Sequence, residues 1–439
     1  MTPAENTING LKSPENAADY LAICPGALCD GVRPLIKLRK EQGLRVRAAR
    51  VEDIEKEFPA ENRAESIRQF LRYAWANWRP PAPRYVLFVG DAVGIKGEDW
   101  SLLIPHMSLV TEQRAYVRDE KELIGTDNFY ALMDGDDIPD FAIGRLPADN
   151  REELDAMVAK IVEYETANAF GTWRRKASFF ASEGHFGSVD QLLEKLAKNM
   201  FKHNVLPLFD ISMTYANPGM EYFYPADEFG GKVLERFREN PLFMIYIGHG
   251  DVMGFDDVRF EGRRYPIMGV DDVAKLNGGG GRYPIVFIMA CNTGYFDSPE
   301  HDSIGEELVK NPKGPVGVFA SSRVSDPYGN GVLAKEIANV LLYNLEPRIG
   351  DALIKAKRAS VENYDKDRKY IDKVATLFIP IDEMPVSIRE HLYLYNYLGD
   401  PATMVQFPMN RMDVQAPKEA APGSKISVMG RLMGMSAGK

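Results

Sequence analysis

The sequence is poor in the features that mark disulfide-rich or membrane-spanning proteins. Only three cysteines occur in 439 residues, Cys24, Cys29 and Cys291, so no disulfide framework is expected and Cys291 has no near neighbour to pair with. Cys24 and Cys29 are expected to be core residues. No segment reaches the run of about eighteen apolar residues that a membrane-spanning helix needs, and residues 1–16 lack the apolar stretch of a signal peptide.

Positive charge is also in deficit. The chain has 53 Lys and Arg against 63 Asp and Glu, which leaves a formal net charge of −10. A general nucleic-acid or anionic-membrane binder needs clustered Lys and Arg to neutralise phosphates, so neither partner is expected and cationic partners are favoured.

What is present is an ordinary globular composition, with 45% hydrophobic and 26% charged residues. A chain of this length buries a large core, spread over two or more domains, and needs no cofactor to fold.

The first half of the chain alternates short apolar runs with helical patterns. Strands are predicted at 21–24, 44–51 and 85–89, and helices at 32–42, 64–78 and 151–168. This alternation is typical of parallel strands connected by helices.

The second half repeats the pattern with stronger signals. Strands are predicted at 177–181, 206–211, 243–247, 285–289 and 316–320, and helices at 189–203, 228–239, 305–310 and 331–345. The predicted fold is α/β, with parallel sheets covered by helices on both faces and divided into two α/β subdomains. These are an N-terminal subdomain at 1–170 and a catalytic subdomain at 171–408, while 409–439 is a tail or the start of a truncated β domain.

Two apolar runs each end in a reactive residue. The run 243–247 leads into Gly248, His249 and Gly250, and the run 285–289 leads into Ala290 and Cys291. If the two runs are neighbouring parallel strands, an imidazole and a thiol meet at the carboxyl edge of one sheet, where open α/β folds place their chemistry. This is the arrangement of a cysteine hydrolase, in which the amides of Gly250 and Cys291 would bind the oxyanion.

Two other interpretations of these residues stay open at this point. Taken singly, His249 is explained by a buried strand end and Cys291 by an inert core position. A metal site is the other alternative, because His249 is followed by three carboxylates, and histidine with carboxylates suits zinc or iron. These carboxylates are Asp251, Asp256 and Asp257.

The His-Gly pair, followed by an Ala-Cys pair after a later strand, resembles the caspase-fold cysteine peptidases, and more closely the gingipain-type peptidases of family C25. Further segments match that family's pattern in the same order along the chain. They are YVLFVGDA at 85–92, TDNFYA at 126–131, PDFAIGRLP at 139–147, KIVEYE at 160–165 and YNYLGDP at 395–401. The resemblance spans 18–408 and implies a caspase-like fold.

The resemblance implies a role for each matching residue. Cys291 corresponds to the nucleophile, His249 to the general acid and base, and Glu183 to the acidic residue that orients the histidine. The alternative for Glu183 is a solvated loop carboxylate. The resemblance also makes bound calcium possible, although no calcium ligands are assigned and no other cofactor is expected.

Specificity is less transferable, because the loop after Glu183 is shorter than in the gingipains and the segment between His249 and Cys291 is longer. The family's preference for Arg or Lys before the cleaved bond makes Asp190 the candidate reader, although an acidic residue near a helix start is equally explained by the helix dipole. Arg323 would instead favour acidic or neutral side chains. Tyr328 completes the candidate substrate-binding residues.

The predicted function is therefore a cysteine endopeptidase that acts on peptide or protein substrates, with cleavage after basic residues as the candidate specificity. The alternatives are a specialised processing enzyme or transpeptidase of a secretion pathway, and a peptidase-like module that binds without cleaving. The family is usually secreted or attached to the cell surface, yet no signal peptide is recognised, so the sequence assigns no location.

Overall fold

The structure is a computed structural model that describes residues 10–80, 82–94, 100–110, 123–182, 205–216, 221–377, 379–408, 410–417 and 419–434. Its strands are β1 Tyr20–Cys24, β2 Val46–Arg50, β3 Tyr85–Val89, β4 Met107–Val110, β5 Leu123–Thr126, β6 Ala142–Leu146, β7 Lys176–Ala181, β8 Asp210–Tyr215, β9 Phe243–Ile247, β10 Gly250–Asp251, β11 Gly254–Phe255, β12 Asp257–Phe260, β13 Arg263–Pro266, β14 Ile285–Met289, β15 Gly317–Ser321, β16 Tyr395–Leu398, β17 Asn410–Gln415 and β18 Met429–Gly434.

The α-helices of the described residues are Arg33–Glu41, Val51–Glu57, Arg63–Asn77, Arg151–Thr166, Ala226–Arg238, Val270–Val273, Ile304–Lys310, Pro327–Ala338, Ile349–Glu362, Lys366–Ala375 and Met384–Leu394. Short 3-10 turns lie at Trp100–Leu102, Asn128–Ala131 and Thr172–Arg175, and a π-helical turn lies at Asn339–Tyr343. None of these described helices has the length and apolar character required to cross a bilayer.

Ten strands form one sheet in the order β2-β1-β3-β6-β16-β15-β14-β9-β7-β8. Neighbouring strands are parallel except at one place, where β16 runs antiparallel to β15 while remaining parallel to β6. β16 separates the first half of the sheet, β2-β1-β3-β6, from the second half, β15-β14-β9-β7-β8. Residues that follow strands of both halves nevertheless meet, since Asp91 after β3 lies beside Asp302 and Glu306, which come after β14, and the Arg145 guanidinium lies over the Phe296 ring.

Helices cover both faces of this sheet, as predicted. In β1, Tyr20 and Ala22 join one apolar cluster and Leu21 and Ile23 join the other, because successive side chains of a strand point to opposite faces. In the first half of the sheet, the helices Arg33–Glu41 and Arg151–Thr166 contribute to the first cluster, while Val51–Glu57 and Arg63–Asn77 contribute to the second. The strands β9 and β14 are nearly continuous apolar runs because both of their faces are covered.

Several element boundaries differ from the prediction. The strand expected at 206–211 lies instead at Asp210–Tyr215, because Pro207 has no amide proton for a ladder hydrogen bond and interrupts the apolar run. The helix expected at 331–345 begins earlier, at Pro327, where Asp326 caps it. The helix expected at 189–203 lies outside the described residues.

The strands assigned to the two predicted subdomains lie side by side in the single sheet and meet at β6 and β16. A buried ion-pair group reinforces this junction, since Arg39 from the first half binds Glu165 and Asp400 at 2.7 Å each. In the tail, β17 and β18 form an antiparallel hairpin. The boundaries at 170 and 408 stay predictions.

The expectation that no disulfide forms was wrong. Cys24, at the end of β1, is bonded to Cys29. A turn after Pro25 makes this possible, because the amides of Leu28 and Cys29 donate to the Pro25 carbonyl and bring the two Cα atoms to 5.3 Å. Cys291 is therefore the free cysteine of the chain.

Candidate active site

Three parallel strands, β7, β9 and β14, end side by side in the second half of the sheet. Ala181, Ile247 and Met289 occupy the same level in the register. Beyond that level, the amide of Ser182 donates to the Ile247 carbonyl at 3.2 Å, and the amide of Gly248 lies 3.4 Å from the Met289 carbonyl. The residues that follow these strands are therefore held together, as the sequence pattern predicted for β9 and β14.

The backbone of the His249 loop lies directly against the Cys291 loop. A Cβ atom added at Gly250 would lie 2.6 Å from Cγ2 of Thr293 and 2.9 Å from the Cys291 carbonyl oxygen. On the other side of the histidine, a Cβ atom at Gly248 would lie 2.1 Å from Oγ of Ser182. Both glycines are required because any larger residue would clash at this close approach.

Hydrogen bonds from Tyr246 and to Ser182 hold the backbone of His249 in place. The hydroxyl of Tyr246 donates to the His249 carbonyl at 2.7 Å, and the His249 amide lies 3.4 Å from Oγ of Ser182. Tyr246 is fully buried and stacks on Phe255, with ring centroids 4.3 Å apart. His249 itself is exposed, so its imidazole lies at the surface above the packed rings of Tyr246 and Phe255.

Cys291 is half-buried where the chain leaves β14. The amide of the next residue, Asn292, donates to the Arg323 carbonyl at 3.1 Å, and Asn292 adopts a left-handed conformation with φ of 58°. The amide nitrogen and the carbonyl oxygen of Ser325 each lie 3.4 Å from the Cys291 sulfur. The thiol thus lies between the end of its own strand and the segment that follows β15.

Two of the predicted site residues, Glu183 and Asp190, lie outside the described residues. The last described residue of that segment is Ser182, which contacts the His249 amide. Gly250 pairs with Phe255 in the short β10–β11 ribbon, so its position beside Cys291 is held by backbone pairing. The roles of these three residues stay predictions.

Arg323 and Tyr328 have polar partners inside the protein. The Arg323 guanidinium is buried, pairs with both carboxylate oxygens of Asp297 at 2.7 and 2.6 Å, and lies over the Tyr295 ring. The Tyr328 hydroxyl donates to Asp372 at 2.9 Å. Whether either residue contacts substrate stays a prediction, but the charge of Arg323 is already balanced by Asp297.

The alternative metal site around His249 is not supported. Of the described residues, the carboxylates that do gather as potential ligands are Asp91, Asp302 and Glu306, with one oxygen of each within 4.8 Å of the others. His249, Asp251, Asp256 and Asp257 are all described but form no such group.

The carboxylate group lies between the two halves of the sheet. Asp91 follows β3, whereas Asp302 and Glu306 lie before and within the helix Ile304–Lys310. Burial raises the pKa of Asp91 to about 7, assisted by the nearby Asp149 and Asp302 charges, and raises the pKa of Glu306 well above its usual range. The ammonium of Lys310 donates to Asp149 and Asp302 and balances part of this charge.

Sequence analysis missed two residues that contact the candidate pair, Ser182 and Ser325. Ser182 directly follows β7, so its position could have been inferred once β7 was paired with β9. Ser325 carried no signal, because its contact with Cys291 depends on the path of the chain beyond β15.

Comparisons with known proteins identify the family of the chain and proteins that share its fold. A sequence model of peptidase family C25 matches residues 13–406. The crystal structure of gingipain R (RgpB), an Arg-specific cysteine proteinase, is similar with a TM-score of 0.66 at 19% identity, covering 95% of this chain and 86% of that one. A complex of the pro- and mature domains of RgpB from Porphyromonas gingivalis gives 0.63 at 20% identity, covering 94% and 86%.

A third solved structure, described as a protease, gives a TM-score of 0.62 at 15% identity and covers 93% of this chain and 84% of that one. At these identities the solved structures show a shared fold. No curated protein sequence matches the chain.

Proposed function

The chain belongs to peptidase family C25 and is a cysteine-type peptidase, and on this premise we propose that it is an endopeptidase with Cys291 as nucleophile and His249 as general acid and base. The observation that carries the proposal is the close approach of two strand ends. Gly250, next to His249, leaves room for no side chain against the Cys291 carbonyl. A thiol and an imidazole brought to one open edge are the components of nucleophilic catalysis.

In the proposed reaction, the Cys291 thiolate attacks the carbonyl carbon of the peptide bond. The amides of Gly250 and Cys291 would hold the oxyanion that forms. His249 gives a proton to the leaving amine as the C–N bond breaks, which leaves a thioester. His249 then takes a proton from the water that attacks this thioester, and the acid product leaves as the thiol is restored.

Glu183 is proposed to orient His249. Its predecessor Ser182 ends the β7 segment, and the Ser182 hydroxyl oxygen lies 3.4 Å from the His249 amide. This contact supports the proposal because it brings the chain to the histidine one residue before Glu183. A carboxylate that orients a catalytic imidazole stabilises the imidazolium formed during the reaction.

Cleavage after basic residues is the proposed specificity, with Asp190 as the reader. The net charge of −10 favours the approach of cationic peptides. The pairing of Arg323 with Asp297 removes the main argument for an acidic or neutral preference, because a neutralised cation attracts acidic side chains weakly. The solved relative described as Arg-specific supports the same preference.

The group formed by Asp91, Asp302 and Glu306 fits the calcium that the family resemblance makes possible. Carboxylate oxygens are the ligands that this hard cation takes, and Oε1 of the buried Glu306 has no hydrogen-bond partner. Calcium there would supply positive charge between the halves of the sheet. Added calcium should raise the melting temperature of the metal-free protein, and Glu306→Gln should reduce that rise, whereas an equal rise in both would contradict this assignment.

Peptide-library profiling with a thiol-directed probe tests the proposed function. Labelling of Cys291 together with peptide cleavage supports it, and cleavage that persists without Cys291 would overturn it. Products in which an added amine replaces water would instead indicate a transpeptidase, while labelling without any cleavage would indicate a binding module.

Fluorogenic peptides with Arg, Lys, Asp or Leu before the cleaved bond test the specificity. Asp190→Asn should lower kcat/KM for Arg and Lys peptides and leave the Leu peptide unchanged. The matched control is Asp271→Asn, which removes an exposed carboxylate elsewhere. Preference of the wild-type protein for Asp peptides would contradict the proposal.

A further inference from the structure

Three polar atoms of Ser325 lie near the Cys291 sulfur. The amide nitrogen and the carbonyl oxygen of Ser325 lie 3.4 Å from it, and the Ser325 hydroxyl oxygen lies 3.9 Å from it. Ser325 comes two residues before the helix Pro327–Ala338, whose first residues are fixed by the Asp326 cap. The position of Ser325 is therefore set by a rigid element.

A chain of hydrogen bonds continues from Ser325 into the core. The side-chain amide of Asn330 donates to Oγ of Ser325 at 2.9 Å, and the hydroxyl of Tyr395 donates to Oδ1 of Asn330 at 2.5 Å. Oγ of Ser325 already accepts from Asn330, so its own proton is available for donation, and both the Cys291 sulfur and the Tyr395 hydroxyl oxygen lie near it. Burial raises the pKa of the Tyr395 phenol well above its usual range, so this hydroxyl keeps its proton.

We propose that Ser325 stabilises the thiolate of Cys291 through its amide and hydroxyl, and that Asn330 and Tyr395 are positioning residues that direct the hydroxyl toward the sulfur. This inference rests on the proposed role of Cys291 as nucleophile. A nearby base removes the proton of the thiol but does not stabilise the sulfur anion. The inference assigns the hydrogen-bond donors that do so. Donors of this kind increase the thiolate fraction at neutral pH.

The Ser325 carbonyl favours the neutral thiol instead, because its oxygen accepts a hydrogen bond from the S–H group. A hydrogen bond to a charged acceptor is roughly twice as strong as one between neutral groups. The amide and hydroxyl donors therefore outweigh the carbonyl once the sulfur is ionised.

Other titratable or charged groups surround this part of the described chain. They are Tyr246 on β9, His249 and Asp256 after it, Asp297 and Arg323 as an ion pair, Asp326 with His391 behind it, and Tyr395 on β16. Substitutions at Ser325 and Asn330 change none of these charges. A change in the pH dependence of the thiol in such variants therefore reports the donors alone.

The test is the pH profile of Cys291 alkylation by iodoacetamide, followed by mass spectrometry of the intact, unreduced protein. Cys24 and Cys29 are bonded to each other, so the signal belongs to Cys291. In Ser325→Ala, the pH of half-maximal alkylation should rise by about half to one unit. Ser325→Thr, which keeps the hydroxyl, should retain the wild-type profile.

Asn330→Leu should shift the profile in the same direction, because the Ser325 hydroxyl then loses its orientation. The double variant should shift it no further than Ser325→Ala alone, since Asn330 acts through Ser325. Ser360→Ala is the matched control, because it removes a buried hydroxyl that bonds only its own helix. Thermal unfolding of each variant confirms that the protein compared is folded.

The outcomes separate this inference from the proposed function. A wild-type protein that cleaves peptides, with an unchanged profile in folded Ser325→Ala, would overturn the inference and leave the function intact. Additive shifts in the double variant would overturn the positioning role of Asn330. A wild-type protein whose Cys291 neither reacts with iodoacetamide nor supports cleavage would overturn the proposed function itself.

Discussion

The two halves of the sheet end their strands in different surroundings. In the first half, β1 ends in the Cys24–Cys29 disulfide, and β3 leads to Asp91 in a buried carboxylate group. In the second half, β9 leads to the exposed His249 and β14 leads to Cys291, the free cysteine. In the first half covalent and ionic contacts close these strand ends, whereas in the second half an exposed imidazole and a free thiol follow the strands.

Under the proposed function, one sheet separates stability from chemistry. The groups at the strand ends of the first half are less reactive, because a disulfide has no thiol and burial raises the pKa of the Asp91 carboxyl to about 7. At the open edge, glycines replace side chains, so the backbone packs closely while His249 stays accessible. Substitutions in the second half should therefore affect cleavage, and substitutions in the first half should affect stability.

The largest expected effect is at the nucleophile. Cys291→Ala should reduce peptide hydrolysis by about 10⁶-fold, since the reaction loses the atom that attacks. The free energy of unfolding should change by less than about 1 kcal/mol, because the half-buried residue is replaced by a small one. Cleavage assays and thermal unfolding measure both quantities, and His249→Ala should lose nearly as much activity. Full activity in Cys291→Ala would remove the cysteine-peptidase mechanism.

Glu183→Gln should have the next largest effect. It should lower kcat by about 10-fold to 10⁴-fold, because the nucleophile and the oxyanion donors remain while the orienting charge is lost. Steady-state kinetics on one fluorogenic peptide measure the effect, with Glu228→Gln as the control for an exposed carboxylate elsewhere. Unchanged kcat would support the alternative interpretation, in which Glu183 is a solvated loop carboxylate.

A matched pair of glycine substitutions sharpens the contrast within the second half. Gly250→Ala places a Cβ atom 2.6 Å from Cγ2 of Thr293, so the His249 loop must shift, and activity should fall by about 100-fold. Gly231→Ala meets no atom within 4 Å on the helix Ala226–Arg238 and should leave activity unchanged. It should also stabilise the protein by about 0.5 to 1 kcal/mol. Equal activities would show that the close approach at Gly250 is unimportant.

In the first half, Asp91→Asn should raise stability in the presence of a chelator. Burial raises the folded-state pKa of Asp91 from 3.8 to about 7, so the folded protein binds more protons than the unfolded chain between these values. Stability therefore falls as pH rises through this window, and the variant should gain on the order of 1 to 3 kcal/mol above it.

Thermal unfolding from acid to neutral pH measures this difference. The gain should vanish well below pH 3.8, where the carboxyl is protonated in both states. A difference that does not vary with pH would contradict the assigned cause. Cleavage per folded molecule should be unchanged.

Loss of the disulfide should change stability alone. Replacing both Cys24 and Cys29 by Ala should cost about 2 kcal/mol of unfolding free energy, because the bond closes only a short loop. Denaturant unfolding measures the loss, and peptide cleavage should be unaffected. A loss of cleavage without a loss of stability would contradict the division between the halves.

The central strands of the second half were predictable because their residues have the composition, length and boundaries typical of a buried strand. Phe243–Ile247 and Ile285–Met289 are apolar, short and bounded by glycine or proline signals, so their bounds in the structure agree with the prediction. Tyr395–Leu398 was recognised only as part of a family motif. Its strand is specified by antiparallel pairing with β15, a contact between residues far apart in the chain.

The candidate site divides in the same way. His249 and Cys291 were found because each directly follows a strong strand signal. Ser325 was not found, because its contact with the sulfur arises from a loop whose path no local pattern describes. The partner of Arg323 was likewise hidden, since Asp297 reaches it only when the loop after Cys291 folds back.

By itself, the sequence determined the α/β class and the parallel strands of the second half, and it placed His249 and Cys291 just beyond two of those strands, because these features depend on hydrophobic period and on residues near a strand. Only the tertiary structure decided the reversal at β16, the Cys24–Cys29 bond, the neutralisation of Arg323 and the donors around the Cys291 sulfur. Each of these depends on contacts made when the chain is folded, and local propensity carries no information about such partners.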